Sequence, residues 1–326
     1  MQPVGRASDS EVASRGAACK PDGPWPSITA VVPSRDGREL LSRAVASILA
    51  QQYPGEIECL VVFDGGGGSL PAIKQPPGRR LRAIANDRTP GAAGARNTGV
   101  VAAQSELVAF CDDDDEWLPD KLREQVRALC VQAEASAASC GIHVVFGSRT
   151  VTRVLEQQTV TFPDLLRSRM AELHTSTIMV RREDFLGRIG PFDERIPGSF
   201  AEDYEWLLRA TLAGPVLAVA RPLVNVHWHE LSFFEGRWTT MARGLQYLLG
   251  KYPAFRREPR GLSRICGQIA FASAAAGDTR QGRRWVRRSL RLDWRQPRGY
   301  LALLVSLGLI RPEALLQVLH RYGRGI

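Results

Sequence analysis

The feature that most constrains this chain is a run of five acidic residues, 112–116, directly after the apolar segment 107–111. Neighbouring carboxylates repel one another and resist burial. The apolar segment is typical of a buried strand, so the carboxylates would lie at its carboxyl end, where open α/β sheets bind ligands. Such a cluster suits a hard divalent cation. Taken alone, the run is better explained as a solvated turn before a helix near Pro119, but the rest of the chain reverses that preference.

Strand-like and helix-like segments alternate through the first half of the chain. The patterns predict buried strands at 28–33, 57–63, 81–85 and 106–111, and helices at 38–51, 94–104 and 119–135. This alternation predicts an α/β fold with an open, mainly parallel, Rossmann-like sheet and right-handed crossovers. A more antiparallel region is predicted next, with strands at 144–146, 151–160, 176–181 and 216–226 and a helix at 203–213. After Trp238 the pattern is entirely helical.

Charge divides the chain into two parts. The 326 residues carry a net charge of +9, and they can bury a large core. Residues 237–326 hold 17 Arg and one Lys against four acidic residues, a net charge of +14, which leaves −5 for residues 1–236. We therefore expect a disordered leader at 1–26, an acidic α/β domain at 27–236 and a basic helical C-terminal region at 237–326 that faces an anionic partner.

The sequence indicates neither a secretory signal nor a membrane span. Residues 1–20 lack the apolar core of a signal peptide, and the apolar stretch 300–310 is too short to cross a bilayer. The six cysteines show no C-x-x-C pair and no zinc spacing, which favours reduced thiols. We therefore expect a cytoplasmic protein, soluble or held peripherally at a membrane surface.

Five short motifs occur in a fixed order along the first two thirds of the chain. They are Val31-Val32-Pro33-Ser34, the strand 57–63 with Asp64-Gly65, Gly94-Ala95-Arg96-Asn97-Thr98-Gly99, the segment 110–122, and Glu202-Asp203. Together they resemble the family 2 glycosyltransferases of the GT-A fold, over residues 28–232. The resemblance implies a nucleotide-sugar donor, most commonly UDP-linked, and a divalent cation, Mn²⁺ or Mg²⁺, that bridges its diphosphate.

The family's D-x-D motif falls within the acidic run. The resemblance implies that Asp114 is a metal ligand, that Asp113 lies near the donor ribose and sugar, and that Asp112 can exchange roles with either. The next residues are interpreted as structural, with helix-start charges at Asp115 and Glu116 and packing of the following helix against the sheet by Trp117.

Other motif residues are implied to bind the nucleotide. Asp64 matches the carboxylate that hydrogen-bonds the base, although the usual Asp-Asp-Gly-Ser has become Phe63-Asp64-Gly65-Gly66. The base and ribose are bound in the family at the position of Pro33, Ser34 and Arg35. Arg96, at a helix N-terminus, either faces the nucleotide or locks its loop by hydrogen bonds.

Glu202 and Asp203 match an acidic pair whose aspartate is the catalytic base of inverting enzymes. Asp203 would take the proton of the acceptor hydroxyl, with Glu202 as the second candidate. An N-cap for the helix that contains Trp206 is the simpler alternative. By strand alternation, His227 and His229 share one face. The resemblance implies that one of them completes the metal or diphosphate site, His229 being the better match.

The basic C-terminal region contains an arginine stripe on one helical face, formed by Arg280, Arg284, Arg287, Arg288 and Arg291. A solvated face is the default interpretation, but a stripe without acidic partners also suits anionic lipid, a diphosphate-linked acceptor or an acidic protein. The sequence contains no nucleic-acid-binding module, so we expect no nucleic-acid partner. A literal Q-x-x-R-W at 281–285, typical of processive synthases, is interpreted as part of an ordinary helix.

The resemblance therefore implies an inverting, metal-dependent hexosyltransferase that acts in glycan or glycoconjugate biosynthesis. Its acceptor would be a glycan, a lipid-linked molecule or a small molecule. The alternative is a catalytically weak GT-A scaffold whose basic helical tail mediates binding. A sugar nucleotidylyltransferase is disfavoured, because no Gly-rich basic loop for a triphosphate follows the first strand.

Overall fold

The computed structural model describes residues 24–35, 39–65, 67–228 and 236–321. These residues form two compact units. The first runs from the start of the described residues to residue 162 and adds 170–194 and 203–227, while the second contains 163–169, 195–202 and the residues after 227. Most of the expected leader lies outside the described residues. Its last part is packed, because the Trp25 ring lies edge-on to Tyr53 with 5.3 Å between ring centroids.

The first unit is built on one mixed sheet. Among the described residues this sheet has ten strands, in the order β3-β2-β1-β4-β9-β6-β10-β5, with β7 paired to β6 and β8 to β10. The strands are β1 (Ile28–Ser34), β2 (Ile57–Phe63), β3 (Arg79–Ala85), β4 (Leu107–Phe110), β5 (Glu116–Trp117), β6 (Ala137–Phe146), β7 (Arg149–Arg153), β8 (Thr159–Val160), β9 (Met179–Arg181) and β10 (Val216–His227).

Strand direction changes at β9. Strands β1 to β4 are mutually parallel where they pair, whereas β9 runs antiparallel to both β4 and β6. Strand β4 is buried along its whole length, as expected for a strand covered on both faces. The predicted α/β fold with a mainly parallel sheet, followed by a more antiparallel region, is confirmed.

Helices of the first half connect the parallel strands. The helices up to the end of the sheet are α1 (Glu39–Leu49), α2 (Ala92–Ala102), α3 (Lys121–Val131), α4 (Phe162–Arg167), α5 (Arg182–Leu186) and α6 (Glu202–Ala213). Small residues let α2 approach the sheet closely, because a Cβ on Gly99 would lie 2.4 Å from Cγ1 of Val31. A Cβ on Gly94 would lie 2.0 Å from the carbonyl oxygen of Thr89. Helix α2 is therefore packed closely against the sheet and against the loop that precedes it.

The C-terminal part of the second unit is helical, as predicted. It contains α7 (Trp238–Lys251), α8 (Pro259–Ala275), α9 (Thr279–Leu292), α10 (Pro297–Ser306) and α11 (Pro312–Arg321). Helix α9 holds the Q-x-x-R-W letters and is an ordinary helix, capped by Asp278, whose carboxylate accepts the N–H of Gln281 at 2.9 Å. Its buried face includes Val286 and Ser289, and the five arginines of the stripe are exposed. No helix of the described residues is both long and apolar enough to cross a membrane.

The described cysteines are of two kinds. Cys59, Cys111, Cys140 and Cys266 are free and buried, where each acts as a small apolar side chain. Cys130 is disulfide-bonded, so the expectation of uniformly reduced thiols is wrong for this residue.

Candidate active site

The acidic run lies where the sequence predicts, after the end of β4 at Phe110. Strands β1 and β4 are parallel, with Val31 opposite Phe110. Continuing this register by three residues brings Ser34 next to Asp113, and the Ser34 hydroxyl donates a 2.6 Å hydrogen bond to the Asp113 carboxylate. Ser34 is buried, whereas the neighbouring predicted residues differ, with Pro33 half-buried and Arg35 exposed. The carboxyl ends of two adjacent strands therefore place Ser34, which is predicted to bind the nucleotide, beside the acidic run.

Arg96 forms an ion pair with Asp112, and Nη2 lies 2.6 Å from Oδ1. The Arg96 side chain is only 4% exposed, and its guanidinium also lies 5.5 Å from the centroid of the Phe192 ring. This partly buried ion pair offsets one negative charge of the acidic run. Arg96 therefore lies at the acidic run, and both roles considered for it, facing the nucleotide and locking its loop, stay predictions.

Asp115 is a buried carboxylate at the centre of the site, with 1% of its surface exposed. It accepts hydrogen bonds from the Ser176 hydroxyl and from the backbone N–H of His227, the latter at 3.2 Å. Burial raises the pKa of Asp115 well above its usual value, the charges of Asp114 and Asp112 raise it further, and the two hydrogen bonds oppose the shift. The interpretation of Asp115 as a helix-start charge is wrong, because α3 begins only at Lys121.

Glu116 is also not a helix-start charge. It lies in β5, where Nδ2 of Asn225 donates a 3.0 Å hydrogen bond to its carboxylate. The next residue, Trp117, is buried and donates from Nε1 to the carbonyl of Ser176 at 2.9 Å. Its interpretation as a structural residue is confirmed.

Three side chains of the described residues could hold a cation. One ligand atom each from Asp112, Asp115 and His174 lies within 4.8 Å of the others. This group shares Asp112 with the predicted metal set and contains Asp115 and His174 where the prediction has Asp114 and His229. The backbone carbonyl of Asp114 accepts a 3.0 Å hydrogen bond from Arg43.

The two predicted histidines lie at and beyond the end of β10. His227 is the last residue of that strand, and its Nε2 lies 3.9 Å from Oε2 of Glu116. His229 lies outside the described residues.

His174 is the residue that sequence reasoning missed. It precedes a short 3-10 helix, Thr175–Thr177, and its Nδ1 lies 3.4 Å from Oδ2 of Asp115. It reaches the acidic run because β9, which follows, pairs antiparallel with β4. In the sequence, His174 lies just before the strand predicted at 176–181. Its nearness to the acidic run follows only from the pairing of β9 with the distant strand β4, which local pattern does not reveal.

Asp64 lies at the end of β2 and binds the loop that precedes α2. Its carboxylate accepts hydrogen bonds from Nδ2 of Asn86 at 2.8 Å and from the N–H of Gly91 at 2.7 Å. Its own N–H donates to the carbonyl of Ser34 at 2.8 Å. These bonds join the ends of β1, β2 and β3, so Asp64 lies on the same edge of the sheet as Ser34. The predicted contact with a base stays a prediction.

Glu202 and Asp203 are the first two residues of α6. Oδ1 of Asp203 accepts from the N–H of Tyr204 at 2.7 Å. The preceding stretch has an unusual backbone, since Ser199 and Ala201 have positive φ angles of 53° and 67°. Left-handed conformations of non-glycine residues are uncommon and cluster at functional sites. The assignment of Asp203 as a base stays a prediction.

Comparison with known proteins gives a consistent result. Residues 29–187 match the family model for Glycosyl transferase family 2. The chain is 31% identical over 175 residues to the succinoglycan biosynthesis protein ExoO of Rhizobium meliloti strain 1021, covering 52% of this chain and 48% of that protein. It is 26% identical over 142 residues to an Escherichia coli protein named UDP-Glc:alpha-D-GlcNAc-diphosphoundecaprenol beta-1,3-glucosyltransferase WfgD, covering 43% and 55% respectively.

A solved structure resembles the fold over most of the chain. Residues 1–349 of S. aureus TarS, in complex with UDP-GlcNAc, align with a TM-score of 0.57 at 14% identity, covering 91% of this chain and 92% of that one. At this identity the likeness shows the fold alone. The chain spans about half the length of the curated relatives it matches. The segment 29–187, which contains Asp64, Arg96 and the acidic run, belongs to glycosyl transferase family 2.

Proposed function

We propose that this chain is an inverting, metal-dependent glycosyltransferase. It would move a hexosyl group from a UDP-sugar to an acceptor hydroxyl in glycan or glycoconjugate biosynthesis. The observation that carries the proposal is the set of contacts at the carboxyl ends of β1, β2 and β4. There Ser34 binds Asp113, Arg96 binds Asp112, and Asp64 joins the neighbouring strand ends. An open α/β sheet binds its ligand at this edge.

The choice of donor and acceptor is supported by similar proteins. The TarS structure contains UDP-GlcNAc, and the WfgD name specifies UDP-Glc and a lipid diphosphate acceptor. For this chain we propose a UDP-sugar donor, held by Pro33, Ser34, Arg35 and Asp64, and a glycan, lipid-linked or small-molecule acceptor. Residues 27–236 would contain the donor site, and residues 237–326 would contact an anionic surface.

The residues at the acidic run fit a divalent cation. Carboxylate oxygens of Asp112 and Asp115 and an imidazole nitrogen of His174 are close enough to share one ion. Carboxylates suit Mg²⁺ or Mn²⁺, and an imidazole ligand shifts the preference from Mg²⁺ towards Mn²⁺. Asp114 and His229 stay candidates for further ligands. When bound, the cation would offset the negative charge of the diphosphate leaving group.

The chemical step would depend on a carboxylate base. Asp203 would accept the proton of the acceptor hydroxyl while that oxygen attacks the anomeric carbon from the side opposite the diphosphate. A single displacement of this kind inverts the anomeric configuration. Arg96 would keep Asp112 in place through its buried ion pair, and Ser34 would do the same for Asp113 through its hydrogen bond.

Calorimetry with UDP and Mn²⁺ tests the proposal, together with metal-dependent hydrolysis of UDP-sugars. We expect UDP to bind only with the metal, and Asp112→Asn and Asp114→Ala to weaken that binding strongly. Glu156→Gln is the matched control, because Glu156 is exposed and lies outside the acidic run. UDP affinity that is unchanged in both variants would place the metal site elsewhere. Absence of both binding and hydrolysis in the wild type would favour the scaffold alternative.

A further inference from the structure

The second unit contains a cavity of about 300 Å³. Its walls come from α7, from the 3-10 helix Pro253–Arg257, and from α8 and α9. This volume lies at the lower end of the range for small-molecule sites, which run from about 300 to about 1,000 Å³. The cavity therefore suits one sugar residue or a similarly compact molecule rather than an extended chain.

Three buried side chains with largely apolar surfaces form the floor of the cavity. Tyr252, Phe255 and Leu262 line it, and their exposed fractions are 2%, 1% and 5%. These side chains are anchored in the core of the unit, so the cavity exists before any ligand arrives. Apolar surface combined with specifically placed polar groups is the usual composition of a small-molecule site.

Two arginines from different elements line the same cavity. Arg256 comes from the 3-10 helix and Arg288 from α9. Within the described residues, neither guanidinium has a hydrogen-bond or ion-pair partner. Glu258, close in sequence to Arg256, pairs instead with Arg167 at 3.6 Å. Two arginines that line one cavity without a carboxylate partner favour an anionic ligand.

Arg288 is held in position by an aromatic ring. Its guanidinium carbon lies 5.1 Å from the centroid of the Trp285 ring, and Trp285 also lines the cavity. This cation–π contact restricts the side chain before binding, which reduces the entropy lost when a ligand is engaged. The positive charge of Arg288 also affects the thiol of Cys266. Burial raises the pKa of that thiol to about 11, and the charge of Arg288 opposes this shift.

We propose that this cavity binds an anionic sugar, that is, a hexose carrying a phosphate or a carboxylate. Arg256 and Arg288 would engage the anionic group by charge-assisted hydrogen bonds. The floor of Tyr252, Phe255 and Leu262 would cover the apolar side of the sugar ring. All of these residues belong to the second unit, so the anion site is separate from the donor site, while the choice of a sugar as its ligand rests on the proposed function.

The test is calorimetry on the full chain without nucleotide or metal, using four probes. These are glucose 1-phosphate, glucuronate, glucose and inorganic phosphate. We expect at least one anionic hexose to bind roughly tenfold or more tightly than both glucose and inorganic phosphate, as charged hydrogen bonds to a sugar-borne anion require. The preferred hexose distinguishes phosphate from carboxylate. Equal affinity for glucose, equal affinity for inorganic phosphate, or no binding would each overturn the proposal.

Substitutions of the two arginines test whether the anionic sugar binds in this cavity. Arg256→Gln and Arg288→Gln should each weaken it by roughly tenfold or more. Both residues are exposed, so each variant should keep the wild-type melting temperature. Arg283→Gln is the matched control, since Arg283 is exposed on the same helix but does not line the cavity. Wild-type affinity in both cavity variants would overturn the proposal. UDP binding with Mn²⁺, measured on the same variants, separates this result from a failure of the donor site.

Discussion

Asp115 is 1% exposed although its neighbours Asp114 and Glu116 in the sequence are also acidic. Burial of the Asp115 carboxylate is tolerated because it accepts hydrogen bonds from two other segments, from the Ser176 hydroxyl and from the His227 N–H. A satisfied carboxylate of this kind links the end of β4 to the segment before β9 and to the end of β10. The acidic run is therefore a set of different side chains, some of which support the structure.

At the residue scale, Asp203 gives the sharpest test of mechanism. If it is the base, Asp203→Asn should lower the chemical rate by roughly 10²–10⁴-fold, because an amide cannot take the proton. The affinity for UDP with Mn²⁺ should stay close to that of the wild type. Single-turnover kinetics on the true acceptor, with Glu202→Gln as the matched variant, would measure the effect. Near-normal turnover would remove Asp203 from the mechanism and make Glu202 the next candidate.

At the scale of elements, the sequence pattern predicted three elements closely: β1 and β2 from their nearly continuous apolar runs, and α6 from the helical spacing of its apolar residues. The strand predicted at 176–181 is shorter than expected. Its first residues form a 3-10 turn, in which Thr177 Oγ1 donates to the carbonyl of His174 at 2.6 Å and Ser176 binds Asp115. Serine and threonine side chains compete with sheet hydrogen bonds in this way. The position of His174 depends on those same long-range contacts, so local pattern did not reveal it.

Helix α2 allows a test of close packing. In Gly94→Ala the new Cβ would lie 2.0 Å from the Thr89 carbonyl oxygen, and this backbone atom cannot move aside as the end of a flexible side chain could. We expect the free energy of unfolding to fall by about 1–3 kcal/mol, as for other overpacked positions. UDP affinity should also fall, because Arg96 lies on the same helix.

Gly250→Ala is the control for this substitution. Gly250 lies in α7, and a Cβ there would have nothing within 4 Å. Alanine has the higher helix propensity, so this variant should be as stable as the wild type or more stable by up to about 1 kcal/mol. Urea denaturation of both variants gives the comparison. Equal effects of the two substitutions would show that packing at Gly94 is not limiting.

Lys121, at the start of α3, predicts a pH dependence of stability. It is fully buried, donates to Oε1 of Gln125 at 2.8 Å, and lies 3.9 Å from the Trp117 ring centroid. Burial lowers its pKa from 10.5 to about 8. Between these values the unfolded chain binds more protons, so the contribution of Lys121 to the free energy of unfolding should rise with pH.

Lys121→Met would remove that contribution while keeping a long side chain. The difference in free energy of unfolding, wild type minus variant, should therefore increase from about pH 7.5 to about pH 9.5. Urea denaturation at several pH values measures it. A difference that is constant or decreases with pH would contradict the lowered pKa.

For the whole molecule, the contrast between an acidic first part and a basic C-terminal region predicts that the protein meets an anionic surface with its basic region. Arg284, Arg287, Arg288 and Arg291 are all exposed on α9. The test changes three of them and leaves Arg288 unchanged, because Arg288 also lines the cavity of the second unit. If this face meets anionic lipid, each arginine should contribute about 1 kcal/mol at low salt. Changing all three to Gln should abolish sedimentation with anionic vesicles and leave UDP-sugar hydrolysis unchanged.

The same number of charges can be removed elsewhere as a control. Lys74, Arg80 and Arg127 are exposed in the first unit, and changing them to Gln should leave vesicle binding intact. Wild-type binding should also weaken as the salt concentration rises. If the wild type ignores anionic vesicles even at low salt, the face is solvated or contacts a protein, and a soluble acceptor becomes the better proposal.

The path of the chain has a consequence for modularity. The backbone passes from one unit to the other at residue 163, returns at 170, and repeats the exchange at 195, 203 and 228. The stretch 195–202 belongs to the second unit, where a Cβ on Gly198 would lie 2.3 Å from Thr240 and one on Gly244 would lie 3.0 Å from the Phe200 carbonyl. That stretch leads directly into Asp203. Deleting everything after residue 236 would therefore remove the residues that pack against 195–202, the segment that precedes Asp203. For the same reason, the helical region after residue 236 is not an independent module that could be moved to another protein.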